Sequence, residues 1–200
     1  SQINFLEKIY VKKIMPSSLN LNLSKTRIVG KTIANGIPMA AIIGKKKIMS
    51  LALKTFISSS FWSERIGPAC ALTFIRKHRR LNLGKKLDII GLKIKKVWKN
   101  AARNNNLEIE INGINPLATF KLKSKNWPDT ITYFNQEMLK KNILASDRCY
   151  ANLKHDDKSI KIYKNACEEI FHKISNLEKK GILKKKLEGP VKQMGFKRLT

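Results

Sequence analysis

A chain of 200 residues with 42% hydrophobic content can bury one ordinary core, shared at most between two lobes, which excludes a disordered chain. Its 41 Lys plus Arg against 14 Asp plus Glu give a net charge of +27, yet the basic residues are scattered among Ile and Asn, and the largest runs are the three lysines at 45–47 and 184–186. Such scatter marks a compositional bias with charge on solvated faces, so no specific nucleic-acid partner is expected; a basic nucleic-acid-binding protein is the alternative from another class. Cys70, Cys149 and Cys167 form an odd set without CxxC spacing, which argues against a zinc site or a disulfide scaffold and for a reduced, cytoplasmic setting. No apolar run reaches the roughly 18 residues of a membrane span, and the first residues build no signal-peptide core, so no membrane association is expected.

In chain order, residues 3–14 form a short amphipathic stretch that Pro16 ends, followed by a Ser- and Asn-rich link. An apolar strand is expected around 27–29 and a second at 39–43, apolar on both faces as in a covered sheet. Between them lies GKTIANGIP, residues 30–38, a turn punctuated by Gly and Pro that confines Lys31. A helix begins after Lys45 and is broken by the serines at 58–60; a new one starts at Gly67 and Pro68, where the missing proline donor costs little. Residues 85–104 read as a helix, with Leu87, Ile90, Ile94, Val97, Trp98 and Ala101 at helical spacing, stopped by the asparagines at 104–106. The period then changes: LEIEING and PLATFKLKS alternate as half-buried strands joined through Gly113 and Pro116. Two further helices fit 130–141 and 159–180, separated by the strand-like ILAS at 143–146 and a loop around Asp147 and Tyr150. This order suggests an α/β lobe joined to an α+β lobe near Gly84.

Lys31 is a candidate amine nucleophile, because a primary amine attacks an aldehyde carbon only as the neutral base and a partly desolvated turn favours that form. The alternative is a surface lysine beside a hairpin turn. In the block SSSFWSERIGP, small hydroxyls precede a Gly-Pro helix start, an arrangement in which backbone amides and a side-chain hydroxyl can accept a phosphate dianion, or in which the serines merely cap the helix. Arg65 suits a substrate carboxylate as well as a surface role beside Glu64. His78, His155 and His172 lie in separate elements without ligand spacing, so no metal site is expected.

GKTIANGIP at 30–38, FISSSFWSERIGPACAL at 56–72, NQEMLKKNILAS at 135–146 and LEGPVKQMGFKRLT at 187–200 follow one another in an order that resembles the class III aminotransferases, the pyridoxal-phosphate enzymes that include glutamate-1-semialdehyde aminomutase. The resemblance runs from about residue 28 to residue 200, and Lys31, Gly36 and Pro38 keep the register of the family's cofactor lysine. It implies an α/β chain: the C-terminal part of a fold-type I PLP-dependent transferase, with residues 28–84 the end of the large cofactor domain, 85–200 the small α+β domain, and 1–27 outside the match. It further implies pyridoxal 5'-phosphate as cofactor, Lys31 as the Schiff-base and proton-transferring lysine, and Ser63, five residues before Pro68, as the phosphate-binding hydroxyl reaching across a homodimer interface. The family's residue there is threonine, and Ser60 is the other candidate. Phe61 and Trp62 would pack that interface, and Tyr150 and Asn152 would face the substrate cleft. Amine donors of the amino-acid or amino-sugar type and carbonyl acceptors are the implied substrates.

The chain departs from the family where Ser24 and Lys25 replace a Pro-Asp pair, and where no Asp-Glu block, glycine-rich phosphate loop or ring-stacking aromatic precedes Lys31. An incomplete aminotransferase is therefore expected, either a non-catalytic remnant or one part of a split protein that pairs with an N-terminal partner chain.

Overall fold

The computed structural model describes residues 26–52, 54, 56, 63–193 and 195. The amphipathic stretch expected at 3–14 and the candidate Ser60 lie outside them. The described residues fall into two compact units, one ending at Lys85 and the other beginning at Lys86.

In the first unit β1 (Thr26–Val29) pairs antiparallel with β2 (Ala41–Gly44), Thr26 opposite Gly44 and Val29 opposite Ala41. A single turn of 3-10 helix, Lys31–Ala34, leaves β1 directly after Gly30. The chain then reverses at Asn35 and Gly36, whose positive φ values of 45° and 115° place an asparagine and a glycine where other side chains are strained. Helix α1 (Lys46–Ala52) follows β2, and α2 (Ile66–Arg80) packs its Ala71 against Ile33 and Ala34 to make a small core, with Met39 and Cys70 at its edge. The second strand was expected to be apolar on both covered faces. Instead it buries Ile43 and leaves Ile42 60% exposed, because among the described residues its sheet has two strands and one packed face.

The second unit carries most of α3 (Leu83–Asn104), then β3 (Ile109–Asn112), β4 (Leu117–Leu122), α4 (Trp127–Lys140), β5 (Arg148–Tyr150) and α5 (Asp157–Lys179). The strands form one antiparallel sheet in the order β3-β4-β5. Alternation along β4 turns Ala118, Phe120 and Leu122 inward and Lys121 outward. Phe120 is the hub of the core: its ring centroid lies 4.8 Å from Trp98 of α3, 5.3 Å from Phe134 of α4 and 5.9 Å from Phe171 of α5. Each such ring, fully buried, contributes roughly 1.5–3 kcal/mol relative to exposure.

Helices α2, α3 and α4 are each followed by an asparagine in the left-handed region, Asn82, Asn106 and Asn142, and α5 by Gly181. This is the usual way of ending a helix, with asparagine taking the place of the more common glycine in three of the four. ILAS is not a strand, since Asn142 turns the chain and Ile143 and Ala145 pack on the core without a ladder partner; the strand is Arg148–Tyr150, read from sequence as loop. Helix α4 starts at Trp127 rather than 130, with Pro128 in its first turn.

Candidate functional site

Gly30 ends β1 and Lys31 opens the 3-10 turn. What fixes that backbone is two residues further on: Ile33 and Ala34 are almost wholly buried against α2, so Lys31 sits next to an anchored segment and not on a free loop. The lysine's place is thus set by apolar burial of its neighbours, in a turn shaped by Asn35 and Gly36.

The second candidate, Ser63, is exposed in a turn that leads through exposed Glu64 and Arg65 into α2. Arg65 is the N-cap, and no side chain caps the first turn, which holds no acidic residue. The first amides of α2 therefore project toward the side from which Ser63 and Arg65 arrive, a local field that favours an anion. Gly67 is buried, with Met39 close above it; a Cβ there would lie 3.5 Å from the Met39 sulfur. Both segments belong to the first unit.

By donor type, two groups suit parts of pyridoxal phosphate. A primary amine at Lys31 suits its aldehyde, and the hydroxyl of Ser63 with the uncapped start of α2 suits its phosphate. Neither suits the ring nitrogen, which needs a carboxylate to stay protonated. Glu64 is the one carboxylate between residues 26 and 85, and it is exposed.

The histidines have structural surroundings. His78 is buried on α2 against Phe74, and burial lowers its pKa. His172 bridges Asn105 and Asn176 at 3.1 and 3.0 Å. His155 meets the amide of Asn152 at 3.2 Å, so Asn152 is engaged locally. Tyr150 ends β5 and lines a groove of the second unit.

That groove, about 670 Å³, was not anticipated. It lies between Ile94 of α3, Ile143, Cys149 of β5, and Ile160, Ile162 and Tyr163 of α5. Burial raises the Cys149 thiol and holds the Tyr163 hydroxyl well above its ordinary pKa, so both stay protonated near neutrality and neither is an activated nucleophile. One signal of the groove was legible. Ile162 falls off the apolar stripe that Ile160, Tyr163, Ala166, Cys167, Ile170 and Phe171 carry toward the core, leaving a branched apolar side chain on the outer face.

No protein-family model and no curated protein sequence matches the chain. Solved structures do match its fold. The FumI protein of Sphingopyxis sp., in its PLP internal aldimine form, superposes with a TM-score of 0.68 at 18% identity over 76% of this chain and 37% of its own. An omega-transaminase from Sphaerobacter thermophilus gives 0.67 at 13% identity over 76% and 39%, and an S-selective transaminase from Bacillus megaterium gives 0.67 at 14% over 77% and 39%. The chain therefore has a partial α/β fold of the fold-type I PLP transaminases and spans about two fifths of the length of the transaminases it matches. Among the described residues, no helix is long and apolar enough to cross a membrane.

Proposed function

We propose that the chain is part of a pyridoxal-phosphate-dependent class III aminotransferase or aminomutase, of the glutamate-1-semialdehyde aminomutase kind, with Lys31 as the cofactor-binding and catalytic lysine. The observation that carries this reading is the anchored turn at Lys31, pinned by buried Ile33 and Ala34, in a chain whose fold matches transaminases solved with PLP. When bound, the cofactor supplies an electron sink for the bond-breaking step. Lys31 would hold the cofactor's aldehyde through its neutral amine and, once freed, would take and return the proton of the substrate's reacting carbon. Ser63 donates its hydroxyl to the phosphate, in a dimer from the neighbouring subunit. Ser60, in the same serine-rich block, is the alternative donor. Amine donors of the amino-acid or amino-sugar type and carbonyl acceptors are the substrates.

Turnover needs more than these residues. Between residues 26 and 85 the single carboxylate, Glu64, is exposed, so this segment supplies no buried acid for the ring nitrogen. That acid comes from the part of the fold that lies beyond the span of this chain, either on the same polypeptide or on an N-terminal partner chain. The test is to assay amino transfer from several donors with the chain alone and with a polypeptide carrying the remaining cofactor-domain elements. Turnover only in the mixture, lost on Lys31→Ala, is the expected result; turnover in the mixture that survives Lys31→Ala overturns the assignment.

A further inference from the structure

We infer that the outer edge of β5 and the groove beside it receive an extended polypeptide segment, which adds a fourth strand to the sheet of the second unit and fills the groove with apolar side chains at alternate positions. The inference rests on the partial fold and not on the cofactor reading.

The edge is read from the hydrogen bonds. The Asp147 carbonyl accepts from the Phe120 amide at 2.9 Å, and the Ala151 amide donates to the Pro116 carbonyl at 2.9 Å, with Cys149 opposite Ala118 between them. Groups facing one neighbour alternate along an antiparallel strand, so 147, 149 and 151 face β4, and Arg148 and Tyr150 turn their backbone N–H and C=O to the other side. Among the described residues β5 has β4 as its one strand neighbour, and both Arg148 and Tyr150 are exposed. An open edge of this kind is a template for a further strand.

The groove runs along that edge and is lined by all three residues of β5. Its rim is apolar and wet: Leu144 is 96% exposed and Ile162 53%. The occupant has a source in the fold itself: about three fifths of the length of each matched transaminase lies outside the part that this chain spans.

The experiment uses the chain and an eight-residue probe, acetyl-Glu-Val-Thr-Val-Thr-Val-Thr-Glu-amide, with amide hydrogen exchange read residue by residue. Saturating probe is expected to slow exchange of the Tyr150 amide at least tenfold while leaving the edge of β3 unchanged. Ile162→Asp, which places a carboxylate in the groove without altering β5, is expected to abolish the slowing. A Tyr150 amide that exchanges at the same rate with and without probe, or protection that survives Ile162→Asp, overturns the proposal. Neither outcome bears on Lys31, whose role is read by cofactor labelling.

Discussion

The indole N–H of Trp98 donates to the hydroxyl of Tyr163 at 2.8 Å, tying α3 to α5 beneath the groove. Trp98 is fully buried, so its donor has no access to solvent. Tyr163→Phe keeps the ring and removes the acceptor, and leaving a buried donor unpaired is expected to cost about 1–3 kcal/mol. Urea denaturation of the two forms measures it; a midpoint unchanged at constant m-value shows that Trp98 finds another partner.

Asp147 precedes β5 and receives Arg148 at 3.1 Å and Lys192 at 2.9 Å. Burial alone would raise its pKa, but the hydrogen bonds from Arg148, Lys192 and Ser146 outweigh that and bring it down to about 2. A carboxyl depressed in the folded state stabilises the fold above its unfolded pKa near 3.8, and that contribution is lost as pH falls toward 2. Both cationic partners are partly exposed, so the contribution is roughly 1 kcal/mol after screening. Asp147→Asn is expected to lower stability at pH 5 and to flatten its fall between pH 4 and 2, followed by thermal melts across that range.

Gly91 lies on α3 where the backbone of Asn115, in the β3–β4 connection, comes against the helix; a Cβ at Gly91 would run into the Asn115 carbonyl, with the Asn115 Cα 2.9 Å away. The approach is held by Asn115 Nδ2 donating to Asp88 at 2.9 Å and Lys95 Nζ donating to the Gly113 carbonyl at 2.7 Å. In a free helix Gly to Ala is stabilising by about 1 kcal/mol. Here overpacking against backbone is expected to reverse the sign, giving a net loss of about 1–3 kcal/mol for Gly91→Ala in chemical denaturation. Gly189→Ala, where the added Cβ meets nothing within 4 Å, serves as the neutral control.

Periodicity located the long helices and the β3–β4 hairpin because their signals are local: Ile94, Val97, Trp98 and Ala101 recur on one face of α3, and Ala118, Phe120 and Leu122 alternate on β4. It misplaced the third strand. Three residues, Arg148–Tyr150, are too short to show a period, and their pairing is set by β4, while ILAS has strand-like composition but follows the left-handed Asn142. The Lys31 turn was legible from Gly30, Gly36 and Pro38. Its anchoring by Ala71 was not, since that contact joins residues some forty apart in sequence. The groove escaped for the same reason, being assembled from α3, β5 and α5.

Incubating the chain with pyridoxal phosphate, reducing with borohydride and mapping the modified peptides is expected to place the label on Lys31 in preference to the other lysines, and Lys31→Ala is expected to remove that preferred site. A label spread evenly over exposed lysines, unchanged by Lys31→Ala, contradicts the assignment of Lys31 as the cofactor lysine.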